Sequence, residues 1–441
     1  MTQAAPPMHA AGRQFLFLQG LAGPFFRHLG DALAARGHGV HRVNFHGGDW
    51  LFWRRPGAVN YRGGLAGWPD YLQDLLAQRG ITDIVLFGDC RPLHGAARAI
   101  AAQRLVQVHV FEEGYMRPDW VTLEAGGVNG LSSLPRDPQY YLDTAATLPP
   151  PAPHDAADVG VPTSFARRAR EDLAYNISTM LLRPFFPGYV SHRPWHPVVE
   201  YAGWVRRLAG QKAAARRSNA VRGRLERTGR PFMVFPLQLD CDYQIRMHSP
   251  YPGMEAAITE VLTSFARHAP AGLDLIVKGH PLDNGLRDWR AETLAIAARL
   301  GLAGRVLFLE DGNIDLLVRA ARGVVTVNST TGTLSVARGI PTISLGRAVY
   351  DIPGVTHQDG LDAFWASPVP PDPQVFDALR RVLVHRCMIR GGFFSDEGLQ
   401  MLVGGAVARL ESAARPVPRS VAAEATRPVR AGPPMMAAAK G

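Results

Sequence analysis

The stretch Leu273-Asp274-Leu275-Ile276-Val277-Lys278-Gly279-His280-Pro281 decides the fold. A mostly apolar run this short, closed by Gly-His-Pro, reads as a strand buried on both faces of a parallel sheet. Working outward, Arg305–Leu309, Val324–Val327 and Thr342–Leu345 repeat the pattern, while Phe232–Phe235 and the helix-periodic Glu255–Ala266 precede it. The same rhythm fills the first 145 residues. Phe15–Leu18, Val40–Phe45, Ile84–Phe87 and Val106–Phe111 read as strands, with a helix from Gly23-Pro24 through Arg36. Strands alternating with helices in two separate blocks predict an α/β protein. The expected form is two Rossmann-like domains with a cleft between them, a GT-B arrangement, joined by a helical linking segment. No Gly-x-Gly-x-x-Gly follows the first strand, which excludes the dinucleotide fingerprint.

The boundaries follow from composition. We expect a flexible N-terminus over 1–14, an N-terminal domain over 15–147 and a Pro-rich linker with a basic helical segment over 148–230. A nucleotide domain over 231–414 and a disordered tail over 415–441 complete the chain. No run of 18 apolar residues occurs in the 441, so no helical span is expected. The first residues lack the pattern of a signal peptide, which predicts a cytoplasmic protein. Cys90, Cys241 and Cys387 are scattered without zinc spacing and read as reduced thiols. The net charge of +10 is concentrated. Nine bases from Arg206 to Arg230 face the single acid Glu226, either as a solvated helix or as a docking face for anionic lipid. No recognition motif accompanies the charge, so nucleic acid is not an expected partner.

Chemistry is expected at the strand ends. His280 follows a strand directly, and its near-neutral pKa suits proton donation to a leaving phosphate; the alternative is a capping histidine. Ser329, Thr330, Thr331 and Gly332 lie between a strand and a helix start, where free backbone N–H groups gather anions. Asp311 could hold ribose hydroxyls or merely cap the next helix. Glu112 and Glu113 end another strand, one expected to face the crevice and the other solvent. Gln238, Asp240, Asp242 and Gln244 follow Phe232–Phe235, and paired carboxylates suit glycosyl chemistry. Gly20 and Gly47-Gly48-Asp49 read as close-approach loops lining the cleft, or as tight turns. Trp50, Phe52 and Trp53 read as packing.

Taken in order, FLFLQGLAGPFFRHL (15–29), VHRVNFHGGDWLFW (40–53), FEEGYMRPDW (111–120), PLQLDCDYQI (236–245), VKGHPLDNG (277–285) and VNSTTGTLSVARGIPTISLG (327–346) resemble the capsule polysaccharide synthesis family that includes the KpsS/LipB-type and KpsC-type proteins. One copy of the module resembles the single-module type. The resemblance implies a metal-independent transferase, without cofactor, that moves β-Kdo from the donor CMP-Kdo to a phosphatidylglycerol-type lipid. It implies that His280, Ser329, Thr330 and Thr331 hold the CMP phosphate, and that Glu112 or Glu113 and Asp242 flank the sugar carbon. Because the donor is itself β-linked, a β product means retention, with Asp242 the candidate nucleophile and Asp240 the unresolved rival. Lys278 or Arg246 would meet the sugar carboxylate. The implied setting is the inner face of the bacterial inner membrane, within a capsule synthesis or export complex. Two other classes fit the same residues: a different GT-B nucleotide-sugar enzyme, and a non-catalytic assembly or export factor that would tolerate loss of Asp242 and His280.

Overall fold

The computed structural model describes residues 12–149, 160–191, 195–240 and 242–413, apart from the side chains of Tyr243 and Gln244. Most of the expected flexible N-terminus, most of the Pro-rich linker and the expected tail lie outside the described residues, as does Cys241.

The N-terminal domain runs β1 (Gln14–Phe17), α1 (Phe25–Ala35), β2 (Gly39–Asn44), α2 (Gly47–Trp53), β3 (Ala58–Asn60), α3 (Trp68–Gln78), β4 (Asp83–Phe87), α4 (Pro92–Arg104), β5 (Gln107–Glu113), β6 (Trp120–Ala125) and α5 (Pro138–Thr147). The linking segment is α6 (Phe165–Leu181) and the long α7 (Pro197–Thr228), which Gly229 ends in the left-handed region at φ 57°. The second domain runs β7 (Phe232–Pro236), α8 (Tyr243–His248), α9 (Met254–His268), β8 (Asp274–Lys278), α10 (Trp289–Arg299), β9 (Val306–Leu309), α11 (Ile314–Ala320), β10 (Gly323–Thr326), α12 (Thr330–Ala337), β11 (Thr342–Ser344) and α13 (Leu361–Phe364). Then come α14 (Pro373–Cys387), β12 (Met388–Arg390) and α15 (Asp396–Ser412).

Both sheets are wound alike. The orders β3-β2-β1-β4-β5 and β9-β8-β7-β10-β11 are parallel throughout, each starting centrally and reversing once. The reversal opens a crevice beyond the ends of β1 and β4 in one domain, and of β7 and β10 in the other. Every residue of β8 is buried, including Asp274, which accepts a bond from Arg230 at 3.0 Å. The two Rossmann-like domains match the expected fold class. Among the described residues, no helix is long and apolar enough to cross a membrane.

The chain end departs from the expected domain boundary. The expected nucleotide domain runs over 231–414, yet β12 pairs antiparallel with β6 on the N-terminal sheet. Leu399, Leu402, Ala406 and Leu410 of α15 join Phe25, Leu29 and Phe111 in one buried cluster. The physical reason is that α1 and Trp53 of α2 cover only part of this face of the N-terminal sheet, and α15 packs beside α1 to bury the rest. A second departure concerns Gly47-Gly48-Asp49, which form the first turn of α2 rather than a cleft loop. A Cβ on Gly47 would lie 2.1 Å from the Ser178 carbonyl, so glycine here lets α6 pack against α2.

Candidate functional site

The FEEGY segment forms the turn from β5 into β6. Gly114 passes so close beneath Trp120 that a Cβ would sit 1.9 Å from its carbonyl oxygen. Tyr115 is buried, with its hydroxyl donating to Glu124 and accepting from the Asn129 amide. These residues fix the hairpin that presents Glu112 and Glu113.

Glu113 is not turned to solvent as the alternation of a strand predicts for one of the pair. Arg117 holds one of its oxygens at 2.8 Å and Arg168, from α6, holds the other at 2.9 Å. Burial would raise its pKa, but the two guanidinium groups outweigh burial and hold it below the ordinary value. Glu112 goes the other way. Burial first, then the negative charges of Asp242 and Glu113, push it up to about 8. Glu112 therefore keeps its proton at neutral pH, while Asp242 acts on it from the opposite domain.

Asp242 opens α8, its carbonyl accepting from the Ile245 and Arg246 amides. The competing Asp240 accepts the Met254 amide at 2.8 Å and lies 3.9 Å from Arg287. A hollow of about 980 Å³ beside Asp240 is lined by none of Glu112, Glu113, Asp242 or His280. Gln238 does not point at a ligand. Its amide donates to Asn328 Oδ1 at 2.8 Å and its oxygen accepts the Asn328 amide at 3.1 Å, tying β7 to β10 where the strand order reverses. Gln244 lies outside the described side chains.

His280 follows β8. Its Nδ1 accepts the Leu282 amide at 3.0 Å, which leaves the proton of the neutral ring on Nε2. Burial, then the charges of Arg117, Lys278 and Arg207, lower its pKa to about 4. At neutral pH the free chain thus offers a neutral N–H donor, not an imidazolium. Lys278 is buried with its ammonium on the Gly279 carbonyl at 2.9 Å, and burial with Arg207 and Arg222 depresses its pKa. Arg246, exposed one turn from Asp242, is the better placed of the two expected cations.

Ser329 caps α12, its hydroxyl accepting the Thr331 amide at 3.1 Å. Ser329, Thr330 and Thr331 are partly exposed at the positive end of the helix. Gly332 is buried, and a Cβ would lie 2.2 Å from the Tyr350 hydroxyl, which donates to the Ser329 carbonyl at 2.6 Å. Its part is to seat Tyr350 under the cap. With strands about 4.8 Å apart, the His280 and Ser329 ends flank the β7 loop carrying Asp242.

Two expected ligands, Asp49 and Gly20, sit elsewhere, and Asp311 stands at the edge of the site. Asp49 is 2% exposed and bound to Arg42 at 2.7 Å and to the Phe45 amide at 3.1 Å, so it is a structural anion. Gly20 is buried against Phe26. Asp311 is exposed, its carboxylate on the Gly312 amide at 2.8 Å, while Asn313 caps α11. Asp311 instead borders a hollow of about 470 Å³ with Arg207, His280 and Asp283. Reading the sequence missed Arg117, Arg168, Arg207 and Asn328. Arg117 and Asn328 lie inside quoted motifs, whereas Arg168 and Arg207 occupy helices whose docking no local pattern announces. The basic segment is also largely spent within the molecule. Arg207 reaches the carbonyls of His280 and Asp283, Arg217 pairs with Glu310, Arg222 and Arg224 hold carbonyls, and Arg230 pairs with Asp274.

With this geometry in hand, comparison with known proteins is informative. Residues 82–394 match the family model described as capsule polysaccharide biosynthesis protein. The capsule polysaccharide modification protein LipB of Neisseria meningitidis serogroup A is 35% identical over 391 residues, 88% of this chain and 93% of that one. The capsule polysaccharide export protein KpsS of Escherichia coli is 34% identical over 386 residues, 87% and 97% of the two chains. Among solved structures, the Thermosulfurimonas dismutans KpsC β-Kdo 2,7 transferase aligns with a TM-score of 0.42 at 15% identity, covering 89% of this chain and 99% of that one.

Proposed function

We propose, because this chain belongs to the capsule polysaccharide biosynthesis family, that it is a glycosyltransferase moving β-Kdo from CMP-Kdo to a phosphatidylglycerol-type lipid with retention. The observation that carries this reading is the pairing of Glu112 and Asp242 from opposite domains at one cleft, with Glu112 raised to about 8 by burial and by the Asp242 charge.

In the first step an Asp242 oxygen bonds to the anomeric carbon while the carbon–oxygen bond to CMP breaks, CMP leaving with the electron pair. The α12 N-terminus and the Nε2–H of His280 receive the phosphate, so the reaction needs no metal. Arg246 meets the sugar carboxylate. Once Asp242 is esterified its charge is gone, and the pKa of Glu112 falls. Glu112 then releases its proton to water and becomes the base for the second step. The lipid hydroxyl bonds to the sugar carbon, its proton passes to Glu112, and Asp242 leaves as a carboxylate. The cycle closes with both groups in their starting states. Among the exposed bases, Arg206, Lys212 and Arg216 are available to an anionic inner-membrane surface, where the chain would work beside other capsule proteins.

The test is mass spectrometry of purified protein incubated with CMP-Kdo, generated in situ, and a fluorescent phosphatidylglycerol. One added Kdo is expected with the wild type and none with Asp242→Ala or His280→Ala. With donor alone, a Kdo adduct should appear on the peptide containing Asp242. Absence of product with donor intact and lipid bound would instead favour an assembly factor.

A further inference from the structure

Most of the large apolar side chains exposed among the described residues lie between Phe165 and Leu208. On α6, Leu173, Ile177, Met180 and Leu181 are three and four residues apart along one face, opposite the buried Glu171 and Tyr175. On α7, Val198, Val205 and Leu208 share a face with Tyr201. The two stripes adjoin. Asn176, one turn from both Leu173 and Met180, donates to the Tyr201 hydroxyl at 3.2 Å.

Bases predominate around this surface. Arg170, Arg183, Arg206 and Lys212 are exposed, whereas Glu171 is buried and Asp172 and Glu200 are half-buried; the exposed acid at its edge, Asp396, is paired with Arg167 at 2.6 Å. The same two helices reach the carboxylate cleft, α6 through Arg168 on Glu113 and α7 through Arg207 on the His280 carbonyl. An apolar stripe rimmed predominantly by bases fits the boundary between headgroups and acyl chains of an anionic bilayer.

We infer that the joined faces of α6 and α7 form a phospholipid site, taking acyl chains on the apolar stripe and anionic headgroups on the basic rim. Arg168 and Glu113 lie across α6 from the stripe, which places the cleft one helix diameter, roughly 10 Å, from the bound lipid. That this lipid is also the sugar acceptor rests on the function proposed above; the binding itself does not.

Flotation tests it, using full-length protein with phosphatidylglycerol–phosphatidylcholine vesicles and with phosphatidylcholine alone. Wild type and Asp242→Ala should both float with the anionic vesicles. The pairs Ile177→Glu with Leu181→Glu, and Val205→Glu with Leu208→Glu, should each lower the bound fraction at least ten-fold. Their circular dichroism and melting temperature should match wild type, because all four side chains face solvent. Glutamate variants that float like wild type overturn the inference. So does a wild type that stays unbound while sedimentation velocity shows self-association lost in the same variants. A chain that floats as expected but makes no glycolipid would sink the transferase reading alone.

Discussion

Glu112 and His280 carry protonation states that their neighbours impose, and each shift has a consequence for stability. The folded pKa of Glu112 is about 8 against an ordinary 4.5, so the folded chain binds this proton more tightly than the unfolded one. Stability from this group is therefore full below about 4.5 and is lost as pH rises through 8. Glu112→Gln keeps the neutral form at every pH. Its melting temperature should exceed that of wild type by more at pH 9 than at pH 5.5, while turnover falls roughly 10²–10⁴-fold through loss of the base. A Gln variant that gains nothing at pH 9 would mean Glu112 ionises freely. His280 runs in the opposite direction. Its folded pKa of about 4 lies below its ordinary 6.5, so its stabilising contribution is present above 6.5 and lost as pH falls to 4. These values were not legible in the sequence. His280 could be placed at a strand end, but its depression comes first from burial and then from charges that include Arg117 and Arg207, which stand 163 and 73 positions away in the chain.

At the scale of elements, α12 depends on one close approach. Gly332→Ala would force its methyl into the Tyr350 ring, whose Cζ lies 2.4 Å from the added Cβ, and would lift Tyr350 from the Ser329 carbonyl. Overpacking of this kind costs about 1–3 kcal/mol. Chemical denaturation should report a loss in that range, and CMP binding by calorimetry should weaken with it; an unchanged midpoint would show that Tyr350 swings away freely. The strands that built the two sheets were readable because burial on both faces leaves short apolar runs such as Ile84–Phe87 and Val324–Val327. The edge strands β3 and β12, and β6 beside β12, were not. Ala58–Asn60 and Met388–Arg390 are only three residues long, and β12 pairs with a strand more than 250 residues earlier. Likewise the Arg206–Arg230 charge was visible, but its partners are carbonyls and acids of the second domain. Those partners belong to packing rather than to local pattern.

The whole molecule is held by a chain end that returns and by a contact where the domains meet. Leu402 of α15 is fully buried against the N-terminal core, so Leu402→Ala should cost about 2–5 kcal/mol and speed hydrogen exchange at Phe15–Phe17, nearly 400 residues away in sequence. Unchanged exchange there would mean that α15 merely rests on the sheet. The domain contact bears on activity. His248 ends α8, the helix that Asp242 opens, and its Nε2 lies 3.2 Å from the Cys90 thiol of the N-terminal domain. Its carbonyl accepts the Arg347 amide at 2.6 Å, just beyond the end of β11. Gly130 closes this contact from the N-terminal side, with a Cβ there 2.6 Å from His248 Nδ1 and 3.0 Å from Arg347 Cβ. Gly130 is not itself part of either domain's core, so Gly130→Val should leave the melting temperature within a few degrees of wild type. The added side chain can be accommodated only by moving α8 and the Arg347 loop outward, which draws Asp242 away from Glu112. Activity with CMP-Kdo and lipid should drop at least ten-fold, because displacements near 1 Å already cost about 10² in such sites. The Glu112 pKa should fall with it, since the Asp242 charge that helps raise it recedes. A Gly130→Val protein with normal turnover would mean the carboxylates meet without this contact, and that closure is set elsewhere along the cleft.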